Sequence, residues 1–351
     1  MTDAANQAPS PALPLAVTMG DPAGIGIEIT LKAWLRRQAL RLSAFALYAD
    51  PADVAAAAAR LGIAVPLHPI DRESDATRAF ATHLPIRPVP LAASARPGQP
   101  DPANGRAVIG AIDAATAAVM AGAARAVVTN PIAKSVLYAA GFSHPGHTEY
   151  LAALAERAHP GARCTPVMML ASDELRVVPL TVHVPVAAVP RLITAALIDA
   201  TVRTTHAALQ SDFAIAAPRI AVAGLNPHAG EHGSIGTEDR DVIAPAVVKL
   251  RRDGLDVTGP HSADTLFHAA ARTGYDVVIA MYHDQALIPL KTLAFDSGVN
   301  VTLGLPFVRT SPDHGTAFDI AGQGKASPES LIAALRLADT LSTRRAATLR
   351  P

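Results

Sequence analysis

The chain has a single cysteine, Cys164, among its 351 residues. That excludes an internal disulfide and any thiolate zinc cluster, and it fits a reducing cytoplasm. Lys+Arg and Asp+Glu are 30 each and cancel. With no charge of one sign in excess, nothing favours nucleic acid or an anionic membrane as partner, and phosphate recognition has to be local. No apolar run reaches the roughly 18 residues a membrane span needs. Residues 1–14 lack a basic start followed by an apolar stretch, which argues for a short flexible arm rather than a signal peptide. Aromatic residues are only 4%.

Half of the residues are hydrophobic, enough for a large core in one big α/β unit or two domains. Short apolar runs alternate with alanine-rich helical stretches. The pattern predicts strands at Leu15–Met19, Ala44–Tyr48, Ala126–Thr129, Val167–Leu170, Arg219–Ala223 and Val277–Met281. Helices are expected over Ile27–Leu40, Asp53–Leu61, Arg106–Ala121, Tyr150–Arg157, Val189–Leu209, Ala244–Asp253 and Ser327–Leu341. Such alternation predicts a largely parallel sheet. Arg176–Val182 reads as an added strand near a domain junction. Pro85–Pro102 and Ala158–Thr165, the latter holding the turn His159-Pro160-Gly161, read as inserts or linkers.

Three histidines stand out: His183 in Thr181-Val182-His183-Val184-Pro185, His228 in Asn226-Pro227-His228-Ala229-Gly230-Glu231, and His283 in Tyr282-His283-Asp284-Gln285. None lies on an obvious amphipathic helix, and each follows an apparent buried strand. C-terminal ends of parallel strands converge on the ligand crevice of such folds. Three imidazoles there make a divalent-metal site with open positions for a substrate. Separations of 45 and 55 residues exclude the compact zinc-finger and H-E-x-x-H signatures. Asp264 and Asp284 could orient the imidazoles or simply cap helices. His232, His261 and His268 read as bystanders.

Other segments carry anion-binding chemistry. The turn Gly20-Asp21-Pro22-Ala23-Gly24-Ile25-Gly26 either presents backbone N–H groups to an anion or is a tight strand-to-helix connection. It is neither a P-loop nor the G-x-G-x-x-G fingerprint. Gly146-His147-Thr148-Glu149 opens a helix, where Thr148 either caps or joins His147 in binding an anion. Lys291, Asn300 and Arg309 recur at nine-residue intervals; arginine can grip phosphate bidentately and lysine acts as a point charge. The polar, glycine-rich stretch from Ser311 to Gly324 reads as a functional loop.

Taken in order, Gly20–Gly26, Gly146–Glu149, Gly224–Glu231, Tyr282–Gln285 and Arg309-Thr310-Ser311-Pro312-Asp313-His314-Gly315-Thr316-Ala317 resemble the 4-hydroxythreonine-4-phosphate dehydrogenases of pyridoxal 5′-phosphate (vitamin B6) biosynthesis, over about residues 15–340. His314 to Ala326 is also similar to the nucleotide loop of isopropylmalate and isocitrate dehydrogenases. The resemblance implies that fold: two α/β/α domains with the active site in the cleft between them. The first domain would comprise 15–133 plus 305–351, on the cofactor side, and the second 134–304, with metal, substrate and dimer interface.

The resemblance further implies residue roles. His183, His228 and His283 would hold one divalent metal (zinc, magnesium or cobalt). His147, Thr148, Lys291, Asn300 and Arg309 would bind the phosphorylated substrate. Asp313, His314, Gly315, Thr316, Asp319 and Ile320 would bind NAD(P). Asp264, Asp284 and Lys134 are the candidate general bases. The chain would be a cytoplasmic homodimer with shared active sites, handing its product to a pyridoxine 5′-phosphate synthase. Ile27, Ala133, His232 and Ala286 depart from frequent family residues and remove none of these groups. Oxidation of another four-carbon phosphorylated hydroxy acid or of a cyclic diol is the near alternative. A three-histidine metal hydrolase and a non-catalytic phosphometabolite binder are the distant ones.

Overall fold

The computed structural model describes residues 13–144, 146–159, 161 and 163–348. The arm expected over 1–14 lies outside them except for Leu13 and Pro14, as does Pro160 of the expected turn. The chain is α/β and divides into two compact units. One runs to Phe142 and includes Gly315–Pro328; the other comprises Ser143–His314 and the chain from Glu329 onward.

In the first unit, β1 (Leu15–Thr18), β2 (Phe45–Ala49), β3 (Leu67–Pro69), β4 (Leu84–Pro88) and β5 (Ala126–Thr129) pair in parallel, in the order β3-β4-β2-β1-β5. The helices are α1 (Gly26–Leu35), α2 (Pro51–Arg60), α3 (Glu73–Ala79), α4 (Gly105–Met120) and α5 (Lys134–Ala139). The central strands are buried at every position and apolar except for Thr18 and Thr129, as a sheet covered on both faces requires. Asp50 caps α2, accepting from the N–H of Ala52 at 2.8 Å, with Pro51 pre-set for the first helical turn. Of the proline-rich insert, Pro85–Pro88 belongs to β4.

The second unit contains α6 (His147–Ala158), β6 (Val167–Ala171), β7 (Arg176–Thr181), α7 (Val189–Leu192), α8 (Ala195–Ser211), β8 (Ile220–Ala223), α9 (Ala244–Arg252), β9 (Val257–His261), α10 (Ala269–Arg272), β10 (Val277–Tyr282), α11 (His283–Ala294), β11 (Val299–Leu303), β12 (Val308–Pro312) and α12 (Glu329–Thr348). Its strand order is β12-β11-β6-β7-β10-β8-β9. The run β7-β10-β8-β9 is parallel, whereas β12, β11, β6 and β7 pair antiparallel. The sheet is therefore less uniformly parallel than expected. Leu287 and Leu290 of α11 pack with Val177, Val278 and Ala280 in the core beneath the strand ends. Each such large side chain, fully buried, contributes about 1.5–3 kcal/mol.

Four expectations change. The strand at 176–181 is no addition near a junction but lies inside the sheet, bonded to β6 and β10. The helix expected over Val189–Leu209 breaks at Ile193–Thr194, because the Thr194 hydroxyl caps α8 by accepting from the N–H of Leu197 at 3.1 Å. The division falls after residue 142 rather than 133, so Lys134 belongs to the first unit. The last helix belongs to the second unit, not the first: it packs on β12, the Thr310 hydroxyl donates to the Ala334 carbonyl at 2.9 Å, and Arg345 pairs with buried Asp212 at 2.6 Å.

Candidate active site

The strands β7, β10 and β8 are neighbours, parallel, and each delivers one of the three histidines just past its C-terminal end. Adjacent strands lie about 4.8 Å apart, so sheet order alone brings together residues 45 and 55 positions apart in the chain. Polar side chains tie these strand ends to one another. The Thr181 hydroxyl donates to the Met281 carbonyl at 2.8 Å. Gln285 accepts from the N–H of Met281 at 2.6 Å and donates to the Gly224 carbonyl at 2.9 Å.

The His183 and His283 rings lie with centroids 5.5 Å apart, beside an open depression lined by Thr181, Val184, Val186, Val189, Tyr282 and Asp284. Two imidazoles sharing one ion at metal–nitrogen distances of about 2.0–2.1 Å have centroids about 5 Å apart. His283 Nδ1 sits 2.8 Å from Asp284 Oδ1, and a carboxylate that accepts from Nδ1–H leaves Nε2 of the neutral ring as the lone pair. His283 is the first residue of α11; β10 passes straight into α11 at Tyr282.

His228 sits in a segment of unusual backbone. From His228 to His232 every residue is left-handed, with φ of 55°, 51°, 76°, 40° and 59°. A buried carboxylate, Asp239, holds this segment. It accepts from the N–H of Leu225 at 2.8 Å, the N–H of Asn226 at 3.0 Å and the Asn226 side-chain amide at 2.9 Å. Gly224 leaves room for it, since a Cβ there would lie 2.8 Å from Asp239 Oδ1. Asp264, also facing this loop, is exposed; the Ser262 hydroxyl holds its carboxyl below the usual range, and the His228 charge adds to that. Among the described residues no group of three His, Cys, Asp or Glu side chains stands gathered for a metal. The donor chemistry suits a divalent cation, and the geometry pairs His183 with His283. His261 is the last residue of β9 and His268 caps α10.

The residues expected to bind an anion lie in the same unit. Arg309 on β12 is 4% exposed. Its guanidinium donates to Thr302 Oγ1 at 3.0 Å and reaches Asn300 Oδ1 at 3.5 Å, both on the antiparallel partner β11. Burial lowers its pKa to about 10, opposed by the nearby charge of Glu149, so it remains a cation at neutral pH. That Coulombic contact places the start of α6 beside Arg309. Gly146, not Thr148, is the N-cap position of α6, and it has no side chain to cap with; His147 and Thr148 are the first two helical residues. Lys291 pairs with Asp313 at 3.3 Å. Burial raises the Asp313 carboxyl pKa, and Lys291, His283 and His314 oppose the shift. Asp313, expected with the cofactor residues, thus sits against Lys291, which was expected with the substrate residues.

In the first unit Lys134 opens α5 and is exposed. The glycine-rich turn has its N–H groups engaged internally. Asp21 N–H donates to the Pro131 carbonyl at 2.8 Å, Ala23 to Asp21 Oδ1 at 2.9 Å, Gly24 to the Asp21 carbonyl at 2.9 Å and Ile25 to the Thr316 carbonyl at 3.1 Å. Gly20 adopts φ +73°, and a Cβ there would lie 2.5 Å from the Pro131 carbonyl oxygen. Of the two readings left open for this turn, the tight connection is the one its hydrogen bonds describe. The loop runs 313–328, since Ser311 and Pro312 belong to β12. Gly315 and Asp319 are exposed, and the Ile320 N–H donates to the Ala317 carbonyl.

Sequence reading missed Asp239 and Thr302 and assigned no role to Gln285. Only the position of Gln285 inside a quoted motif, and the Asp239 carboxylate in a glycine-rich surround, offered any signal.

Parallel strands that deliver histidines to one sheet edge, in the same unit as a buried arginine on an antiparallel pair, are the arrangement of an α/β enzyme with its site at the strand ends. Over residues 42–338 the chain matches, and belongs to, the family described as pyridoxal phosphate biosynthetic protein PdxA. It is 58% identical over 340 residues to a 4-hydroxythreonine-4-phosphate dehydrogenase of Methylorubrum populi, covering 96% of this chain and 97% of that one. The crystal structure of the Klebsiella pneumoniae enzyme of that name superposes with a TM-score of 0.83 at 37% identity, covering 94% of this chain and 100% of that one. A terephthalate 1,2-cis-dihydrodiol dehydrogenase of Burkholderia xenovorans superposes with a TM-score of 0.61 at 31% identity, covering 94% and 98%. Among the described residues no helix is long and apolar enough to cross a membrane.

Proposed function

We propose that the chain is a 4-hydroxythreonine-4-phosphate dehydrogenase. It would oxidise the C3 hydroxyl of 4-phosphooxy-L-threonine with NAD(P)+ to give 2-amino-3-oxo-4-phosphooxybutanoate, which loses CO2 to 3-amino-2-oxopropyl phosphate, a precursor for pyridoxine 5′-phosphate synthase. The observation that carries the reading is the delivery of His183, His283 and His228 by three adjacent parallel strand ends, in a chain 58% identical to a relative of that name.

The residues divide the work. His183, His228 and His283 would hold one divalent cation, which when bound supplies Lewis-acid polarisation of the C3 oxygen. Arg309, fixed by Thr302 and Asn300, offers a rigid, desolvated fork to the phosphate. Lys291, His147 and Thr148 complete that grip, with the uncapped start of α6 adding N–H donors. Holding the phosphate fixes where C3 stands. Asp264 and Asp284 flank the histidines, and with Lys134 they remain the candidate acceptors for the hydroxyl proton. The exposed carboxylate of Asp319 suits the ribose hydroxyls of a nicotinamide cofactor.

The homodimer belongs to the same proposal. Val186 is 71% exposed and Phe295 76%, with Val184, Leu192 and Ile288 also exposed near the histidine face. A second copy of the chain covering these apolar side chains accounts for them.

The deciding assay is NAD(P)H formation with 4-phosphooxy-L-threonine, with and without zinc, cobalt or magnesium, in the wild type and in His228→Ala. The expected result is metal-stimulated turnover that the variant loses together with its bound metal. Full activity of the variant in excess chelator would end the metal reading. Turnover of a cyclic cis-dihydrodiol and not of the phosphorylated substrate would replace the substrate assignment.

A further inference from the structure

The far end of the segment proposed to bind the cofactor is tied to a lysine and a glutamate on α1. Glu28 and Lys32 are one helical turn apart, and Glu28 is 3% exposed. The Lys32 ammonium has three protons, and each has an acceptor. They are Glu28 Oε1 at 2.8 Å, the Gly324 carbonyl at 2.8 Å and the Ala326 carbonyl at 2.7 Å. Glu28 Oε1 also accepts from the N–H of Ala326 at 3.0 Å. The near end of the segment is tied as well. Ile25 donates to the Thr316 carbonyl at 3.1 Å, and a Cβ at Gly24 would lie 3.0 Å from that same oxygen. Gly98 donates to the Ala23 carbonyl at 2.8 Å, bringing the 96–99 turn against Phe318.

We infer that the Glu28–Lys32 pair is a positioning device for nicotinamide-cofactor binding, and that the glycine-rich turn before α1 is the seat of the 315–326 segment. The inference rests on the proposal that Gly315, Thr316, Asp319 and Ile320 contact NAD(P). The physical case is geometric. Residues 315–326 have no helix or strand of their own to hold them. Turn hydrogen bonds, such as those from the N–H groups of Ile320 and Gln323 to the Ala317 and Ile320 carbonyls, shape its middle, and its 324–326 end is anchored from outside by the buried Glu28 carboxylate and the partly exposed Lys32 ammonium, bonded to three backbone groups there. A loop that occupies its binding shape for only a fraction of the time weakens apparent affinity by that fraction. An arginine could not replace the lysine, because a planar fork cannot direct three N–H bonds from one nitrogen.

The test uses the full chain with Lys32→Met and with the double variant Glu28→Gln/Lys32→Met, which leaves no unpaired buried charge if the single variant fails to fold. Hydrogen exchange over peptides covering 315–326 and the Kd for NADH and NADPH, by fluorescence without substrate or metal, are read on the same samples. The expected result is faster exchange confined to 315–326 and a Kd raised about tenfold or more. The KM for NAD(P)+ should rise by the same factor, with the KM for 4-phosphooxy-L-threonine within about twofold of wild type. Unchanged exchange in both variants would overturn the clamp itself. Faster exchange with unchanged cofactor Kd would leave the clamp as a structural tie and overturn the assignment of this loop to the cofactor.

Discussion

Replacing Asp239 with asparagine tests whether the histidine site depends on a residue that never touches a ligand. Four non-glycine residues, His228, Ala229, Glu231 and His232, are left-handed, a conformation that costs about 1–2 kcal/mol each, so about 4–8 kcal/mol together. Against that, the Asp239 carboxylate makes three hydrogen bonds to Leu225 and Asn226. Bonds to a charged acceptor are worth about 1.5–3 kcal/mol each, or about 5–9 kcal/mol together. The two sums are of one size, so the Asp239 bonds offset much of that strain, beside the turn bonds from the N–H groups of Ser234 and Ile235 to the Glu231 and Gly230 carbonyls. Asparagine retains one acceptor and turns the other into a donor facing an N–H. We expect a loss of about 3–5 kcal/mol, local to residues 225–236. The core strands stay intact, so far-UV circular dichroism is unchanged. His228 loses its fixed orientation, and Co2+ or Zn2+ affinity by titration calorimetry falls about 10–100-fold. Wild-type metal affinity together with wild-type hydrogen exchange over 225–236 in Asp239→Asn would refute the reasoning.

Three further outcomes are expected. Arg309→Ala should raise the KM for the phosphorylated substrate about 100-fold or more, and Arg309→Lys should recover little of it, because an ammonium cannot reach the same two oxygens; an unchanged KM in steady-state kinetics counts against the phosphate role. Asp53 has its pKa pushed up to about 6, chiefly by burial and then by the charge of Asp50. A raised folded-state value means that its stabilisation is complete below the unfolded value near 3.8 and is lost as pH rises through about 6. Asp53→Asn should therefore melt higher than wild type at pH 7.5 and equal to it near pH 4; a constant difference across that range contradicts the assignment. Val186→Asp should shift light-scattering mass toward a single chain, and an unchanged dimer would show that this face is not the interface.

Much of the fold was legible because burial imposes periodicity. Apolar runs such as Val277–Met281 and Ala126–Thr129 are strands in the structure within one residue of their expected bounds. The helix over Ala244–Arg252 likewise follows its pattern. The pattern failed where a single side chain redirects the backbone, as Thr194 does between α7 and α8. It also failed for the last helix, whose own sequence carries no sign of which sheet it will cover. Arg309 was visible as a charge among apolar neighbours, but not its burial or its tether to Thr302.

Composition and local pattern by themselves determined the α/β class, the absence of disulfides and the residue types that can bind metal and phosphate. Those depend on the side chains and on sequence spacing of a few residues. Strand order was decided only in three dimensions. His183, His228 and His283 share one sheet edge because β10 lies between β7 and β8. Pairing of strands far apart in sequence depends on long-range packing and backbone hydrogen bonds, which no local window contains. The same holds for Asp239, which acts on Asn226 from thirteen residues away, and for Lys32, whose acceptors at 324 and 326 lie 292 and 294 residues further along the chain.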